Sequence, residues 1–180
     1  AADPQGPYAA KSQYQMALAA YRNARYAEAM AALAAVLADP AMRRDGLWLM
    51  AESASGAGDA DAAVQHYKLL VSEFPDSPYA PDALYRLGHQ LQLRKSWTDA
   101  SVFFLQLAER FPESDLAPRA LFASASSLSS AGQGPQALRD WTEYLKRYPD
   151  AEGVPEALYQ KALEEIRQNL KTEALGTLDA

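Results

Sequence analysis

From residue 9 onward, apolar side chains recur three and four positions apart, as in Leu84, Leu87 and Leu91, and again in Phe104, Leu107 and Ala108. No stretch alternates apolar and polar residues as a half-buried strand would. The pattern predicts antiparallel helix pairs. The first helices of the pairs fall at about 9–23, 43–56, 78–94, 115–131 and 152–168. The second helices fall at about 26–38, 60–74, 97–111, 134–148 and 171–179. Residues 1–8 carry Pro4, Gly6 and Pro7 and are expected to form a flexible lead-in.

The pairs repeat with a fixed step. Phe74-Pro75, Phe111-Pro112 and Tyr148-Pro149 are each 37 residues apart. So are Pro81, Pro118 and Pro155, each followed two residues on by Ala-Leu and an aromatic residue. Ala100, Ala137 and Ala174 keep the same step. Such a period marks an all-α solenoid, in which each unit buries its apolar face against its neighbours. Repeats are expected at 9–42, 43–77, 78–114, 115–151 and 152–180, together forming a single domain.

Punctuation sets the boundaries. Gly58-Asp59, Lys95-Ser96 and Gly132-Gln133-Gly134 separate the helices of a pair, with Asp59 and Ser96 placed to cap the helices that follow. Each Phe-Pro or Tyr-Pro ends a second helix, because proline disfavours helical geometry in the residue before it. Pro81, Pro118 and Pro155 belong to a first turn, where most N–H groups lack a helical partner.

Composition narrows the function. Acidic residues outnumber basic ones, 23 to 17, with no like-charge run, which argues against nucleic acid as the partner. There is no cysteine, so structural disulfides and thiolate metal sites are excluded. No apolar run is long enough to cross a bilayer. His66 and His89 lack metalloprotease spacing, and Gly56-Ala57-Gly58 follows no strand as a dinucleotide loop would. Asp59 and Asp61 lack the remaining ligands of a calcium loop. No catalytic residue, cofactor or metal is expected, and the chain is read as noncatalytic.

At this point the chain resembles the tetratricopeptide repeat family. Leu84, Leu87, Gly88, Leu91, Ala100, Phe104, Leu107 and Pro112 follow its consensus order, as do Leu121, Ser124, Ala125, Leu128, Ala137, Trp141, Tyr144 and Pro149. The resemblance covers roughly residues 9–179 and implies a right-handed superhelical solenoid of about five repeats, the last truncated. Three residues beyond the usual 34 stand before each first helix and are expected to lengthen it. The stretch 74–88 is similar to a bacterial envelope subgroup, the Tol-Pal-associated YbgF-like and BamD-like proteins. That similarity implies a periplasmic or envelope location, with a cytoplasmic one as the alternative.

The family resemblance also implies a site, the concave groove lined by the first helix of each repeat. One position there is aromatic in every repeat: Tyr14, Trp48, Tyr85, Phe122 and Tyr159. This ladder is expected either to anchor a peptide or protein partner or to pack against the first helix of the adjoining repeat. Tyr21, Arg22, Glu52, His89, Gln92 and Ser126 complete the candidate lining, with Lys11, Leu18, Asp45, Ser55, Asp82, Leu93, Arg119, Ser129, Ser130, Glu156, Leu163, Ile166 and Arg167 at the remaining groove positions. No one charge sign dominates.

The expected function is a protein–protein interaction scaffold in a bacterial envelope assembly. The alternatives are an interaction domain excised from a larger protein, an enzyme included, and a self-assembling structural repeat protein. The start Ala1-Ala2-Asp3-Pro4 suits a processed product or an excised segment. At the other end, Leu163, Ile166, Leu170, Leu175 and Leu178 await a covering helix. That end is expected to self-associate or to continue in a longer chain.

Overall fold

The structure, a computed structural model, describes residues 9–179; the expected lead-in at 1–8 lies outside them. The described residues form an all-α solenoid of ten helices in five pairs, with no strand among them. The helices are α1 (Ala9–Arg22), α2 (Tyr26–Val36), α3 (Arg43–Gly56), α4 (Ala60–Glu73) and α5 (Ala80–Leu93). They continue as α6 (Trp97–Arg110), α7 (Ala117–Ser130), α8 (Gly134–Arg147), α9 (Val154–Arg167) and α10 (Lys171–Leu178). Contacts group into two compact units, one running through Ala83 and the other beginning at Leu84, so that α5 crosses the boundary.

One device closes every pair. Ala24, Gly58, Lys95, Gly132 and Asn169 all have φ between 55° and 78°, the left-handed region. The N–H that follows each of them donates five residues back, as from Arg25 to the Ala20 carbonyl at 2.9 Å and from Ser96 to the Leu91 carbonyl at 2.9 Å. The left-handed residue itself donates three back, as from Lys95 to the Gln92 carbonyl at 2.8 Å. This is the Schellman arrangement, which satisfies carbonyls that the helix end leaves open. Only two of the five residues are glycine, so the other three carry a Cβ in a conformation that costs about 1–2 kcal/mol.

A second device joins the pairs. Phe74, Phe111 and Tyr148 end α4, α6 and α8 with φ of −130°, −126° and −129° and ψ of 60°, 58° and 57°. The proline after each excludes helical geometry there. The extra residues of each repeat do not lengthen the first helix, contrary to the sequence expectation. They form two consecutive turns, closed by Ser77 N to the Phe74 carbonyl (3.1 Å) and Ala80 N to the Ser77 carbonyl (2.9 Å). The same pair of bonds recurs at Ser114 with Ala117 and at Ala151 with Val154. A proline at 75, 112 or 149 supplies no N–H to a continuing helix, so turns take up the added length.

The capping expectation holds at one place and fails at another. The Asp59 carboxylate accepts from Ala62 N at 3.0 Å, but Ser96 makes no side-chain cap bond. Ser96 instead serves the preceding helix through its own backbone N–H.

Small residues let the helices of each pair approach. In the first unit Ala17, Ala29, Leu33, Val36, Leu47, Ala63, Tyr67 and Leu70 are fully buried. Arg43 at the start of α3 forks onto Glu73 at the end of α4, with Nε and Nη2 at 2.6 and 2.7 Å from the two carboxylate oxygens. In the second unit Ala100, Ala137, Leu87, Leu107 and Trp141 are fully buried. At Gly88 an added Cβ would stand 2.7 Å from the Phe104 ring, so α5 and α6 meet at a distance that only glycine permits.

Candidate functional site

The aromatic ladder is mostly packed. Within three repeats its ring lies against a ring on the second helix of the same pair. Trp48 meets Tyr67 at 6.1 Å between centroids, Tyr85 meets Phe104 at 5.5 Å, and Phe122 meets Trp141 at 4.8 Å. These are tilted or edge-to-face contacts, the arrangement the ring quadrupoles favour. The first and fifth repeats lack the second ring. Leu33 and Leu178 occupy its place in the sequence register, and Tyr159 remains 52% exposed. Tyr14, Trp48, Tyr85 and Phe122 are half-buried.

In the first unit, the predicted lining turns partly inward. Glu52 is only 9% exposed and accepts from the hydroxyls of Tyr67 and, at 3.3 Å, Tyr21. Tyr21 also meets Tyr26 edge-on at 5.8 Å. Arg22 is exposed. Trp48 carries a second neighbour that the sequence analysis missed. Tyr79, from the turn after α4, stacks on it at 5.3 Å with the planes 4° apart. Arg44 stands over the far ring, 5.8 Å from its centroid, and pairs with Asp45 at 2.9 Å. Tyr14 belongs to the same neighbourhood. Burial pushes its hydroxyl pKa up, and Tyr79 and Asp45 push it further.

In the second unit, the predicted residues converge on two cavities. The first, of about 330 Å³, is lined by Phe122, Ser126, Ser129, Ser130, Trp141, Glu156, Gln160 and Arg167. It joins one face of α7 to one face of α9 and offers hydroxyls, an amide, a carboxylate and a guanidinium. Gln160 was not foreseen; it holds Glu156 through a 2.7 Å bond one helical turn away. The second cavity, of about 500 Å³, shares Phe122 and is lined by Tyr85, Pro118, Arg119, Ala123, Tyr144 and the turn Ala151–Gly153, among others. Two remaining predicted residues lie elsewhere. His89 is exposed, and Gln92 is held by a 2.8 Å bond to the Ser127 hydroxyl.

With these surfaces described, the comparisons become informative. Residues 45–77 and 82–114 match the family model of the tetratricopeptide repeat. Both segments are tetratricopeptide repeats. No curated protein matches the chain. Solved structures of MamA share the fold. One superposes with a TM-score of 0.74 at 15% identity, covering 97% of this chain and 90% of that one. MamA AMB-1 gives 0.71 at 16% identity, with coverage of 94% and 88%. MamA residues 41 to the end from Desulfovibrio magneticus RS-1 give 0.66 at 16% identity, with coverage of 97% and 93%. Identity at this level shows a common fold and nothing about partners. The matched repeats end at residue 114, so both cavities lie mainly in the part of the chain beyond the family match.

Among the described residues no helix is long and apolar enough to cross a membrane, and no cluster of three or more histidine or acidic residues is placed to hold a metal.

Proposed function

We propose that the chain is a noncatalytic scaffold that binds a protein or peptide through the first-helix faces of its repeats, in an assembly of the bacterial envelope. The observation that carries the binding reading is the cavity between α7 and α9. Its polar groups, Gln160 apart, are those the register placed in the groove, and donors and acceptors line it together. A peptide backbone needs such a mixture, whereas a strictly acidic or basic ligand does not. The matched repeats support the scaffold role, and the turn sequence from Phe74 to Gly88 supports the envelope setting.

The test is capture from fractionated bacterial extract with the wild-type chain and a Ser126→Arg, Gln160→Ala double variant. Both positions are half-buried at the cavity and outside the fully buried core, so helicity should be unchanged. A partner enriched from the envelope fraction by wild type, and at least tenfold less by the variant, is expected. Equal capture by both would sink the site. Capture from cytosol alone would sink the location.

A further inference from the structure

In one link between repeats a side chain covers the ladder ring of the preceding repeat. That side chain is Tyr79, in the first unit, stacked flat on Trp48. Burial raises its hydroxyl pKa, and the nearby Asp45 carboxylate raises it further. Advancing two repeats, by 74 residues in the register, places Gly153 where Tyr79 stands, Phe122 for Trp48, and Arg119 for Asp45. The flat-stacked ring is thus missing from the fourth repeat, where Phe122 instead meets Tyr144 edge-on at 5.5 Å. In its place is the cavity of about 500 Å³, walled by Phe122, Tyr85, Pro118 and Tyr144, with Arg119 at its edge.

Backbone conformation does not demand the glycine. Gly153 has φ −80° and ψ 0°, which any residue adopts. Space demands it. A Cβ there would lie 2.6 Å from the Tyr144 hydroxyl oxygen and 3.4 Å from the Phe122 ring. The Gly153 backbone thus lies close against that hydroxyl, beside the opening. The fourth repeat therefore has Tyr144 edge-on to Phe122 and lacks the flat-stacked ring that Tyr79 supplies in the first unit.

We infer that this cavity receives an aromatic side chain, a tyrosine, of the protein partner, stacked on Phe122 as Tyr79 is stacked on Trp48. The exchange of Asp45 for Arg119 puts a donor where an acceptor stands, and a tyrosine hydroxyl can accept as well as donate. A ring of this kind buries a large area at little entropic cost, which suits an anchor. The inference rests on the reading that this part of the chain meets a protein partner, but its test does not need that partner.

N-acetyl-tyrosinamide is titrated into the whole chain while amide and aromatic resonances are followed by NMR. Saturable, millimolar shifts at Phe122, Ala123 and Gly153 are expected, and N-acetyl-leucinamide should produce none there. Ala123→Phe, which fills the cavity from α7 and leaves the Tyr144–Gly153 contact in place, should weaken the binding by at least tenfold. Tyr79→Gly should open the equivalent place in the first unit and add a second set of shifts at the Trp48 indole. The inference fails if the wild-type resonances do not move, if the leucine amide moves them equally, or if Tyr79→Gly folds and gains no second site. Should the fragment fail while the Ser126 and Gln160 variant still loses its partner, the scaffold reading stands and only the tyrosine anchor is lost.

Discussion

Lys95 occupies the left-handed position that glycine fills at 58 and 132, with φ 57° and an exposed side chain. Lys95→Gly removes the Cβ clash but adds freedom to the unfolded chain, so a net gain of about 0.5–1 kcal/mol is expected from the denaturation midpoint. A loss would show that the lysine stem contributes more than its backbone costs. His66 sets a different residue-scale expectation. Burial lowers its pKa below the ordinary 6.5, and the nearby Asp59 charge opposes the shift only in part. The folded chain therefore resists a proton that the unfolded chain accepts. Stability is complete above about pH 6.5 and declines as pH falls from there toward the lowered folded value. His66→Gln should flatten the melting temperature between about pH 7 and 5; an unchanged slope would place the acid sensitivity elsewhere.

At the scale of the element, helix boundaries were legible because proline and capping chemistry act locally. The predicted bounds of α3 coincide with those observed, and the other bounds agree within a few residues. Two local expectations failed for tertiary or register reasons. The residues before α5, α7 and α9 formed turns because each is closed by its own pair of backbone bonds. Ser96 had cap chemistry, but its hydroxyl is not bonded to the helix it precedes. Asp59 and Ser96 occupy the same place in successive repeats and make a matched test. Asp59→Ala should cost about 0.5–2 kcal/mol, the usual loss of a bonded N-cap. Ser96→Ala should change stability by less than about 0.5 kcal/mol, as for a surface site with no bond to lose. Equal losses in thermal or chemical unfolding would contradict the observed difference.

For the whole molecule, stability in a repeat array is a sum over units and their neighbours, so it need not be uniform. The last pair is the least covered. Ile166, Leu175 and Leu178 are 51%, 65% and 56% exposed, and α10 has only eight residues. In contrast, α6 to α8 enclose Phe104, Leu107, Leu121 and Trp141 almost completely. Amide exchange should be fastest in α10 and slowest in α6 and α7, in hydrogen-exchange mass spectrometry of the isolated chain. Comparable protection at both places would mean that another surface covers α10 in solution.

The sequence by itself determined the class, the number of helices, their boundaries and the register. Each follows from chemistry within a few residues or from a period that repeats it: the 3.6-residue apolar face, the proline that stops a helix, the small residue where two helices meet. It also named most groups around the polar cavity, because register carries a groove position from one repeat to the next. Accessibility was not legible. Five aromatic residues share one position, yet whether a ring is covered depends on a partner elsewhere in the chain. Trp48 is covered by Tyr79, Phe122 has Gly153 at that place, and Tyr159 has a leucine in place of the second ring. Glu52 reads as a groove carboxylate, but two hydroxyls from other helices draw it inward. Only the tertiary structure decides such matters, because burial and hydrogen bonding are set by what a neighbouring element brings within a few ångströms, and periodicity along the chain does not encode that distance.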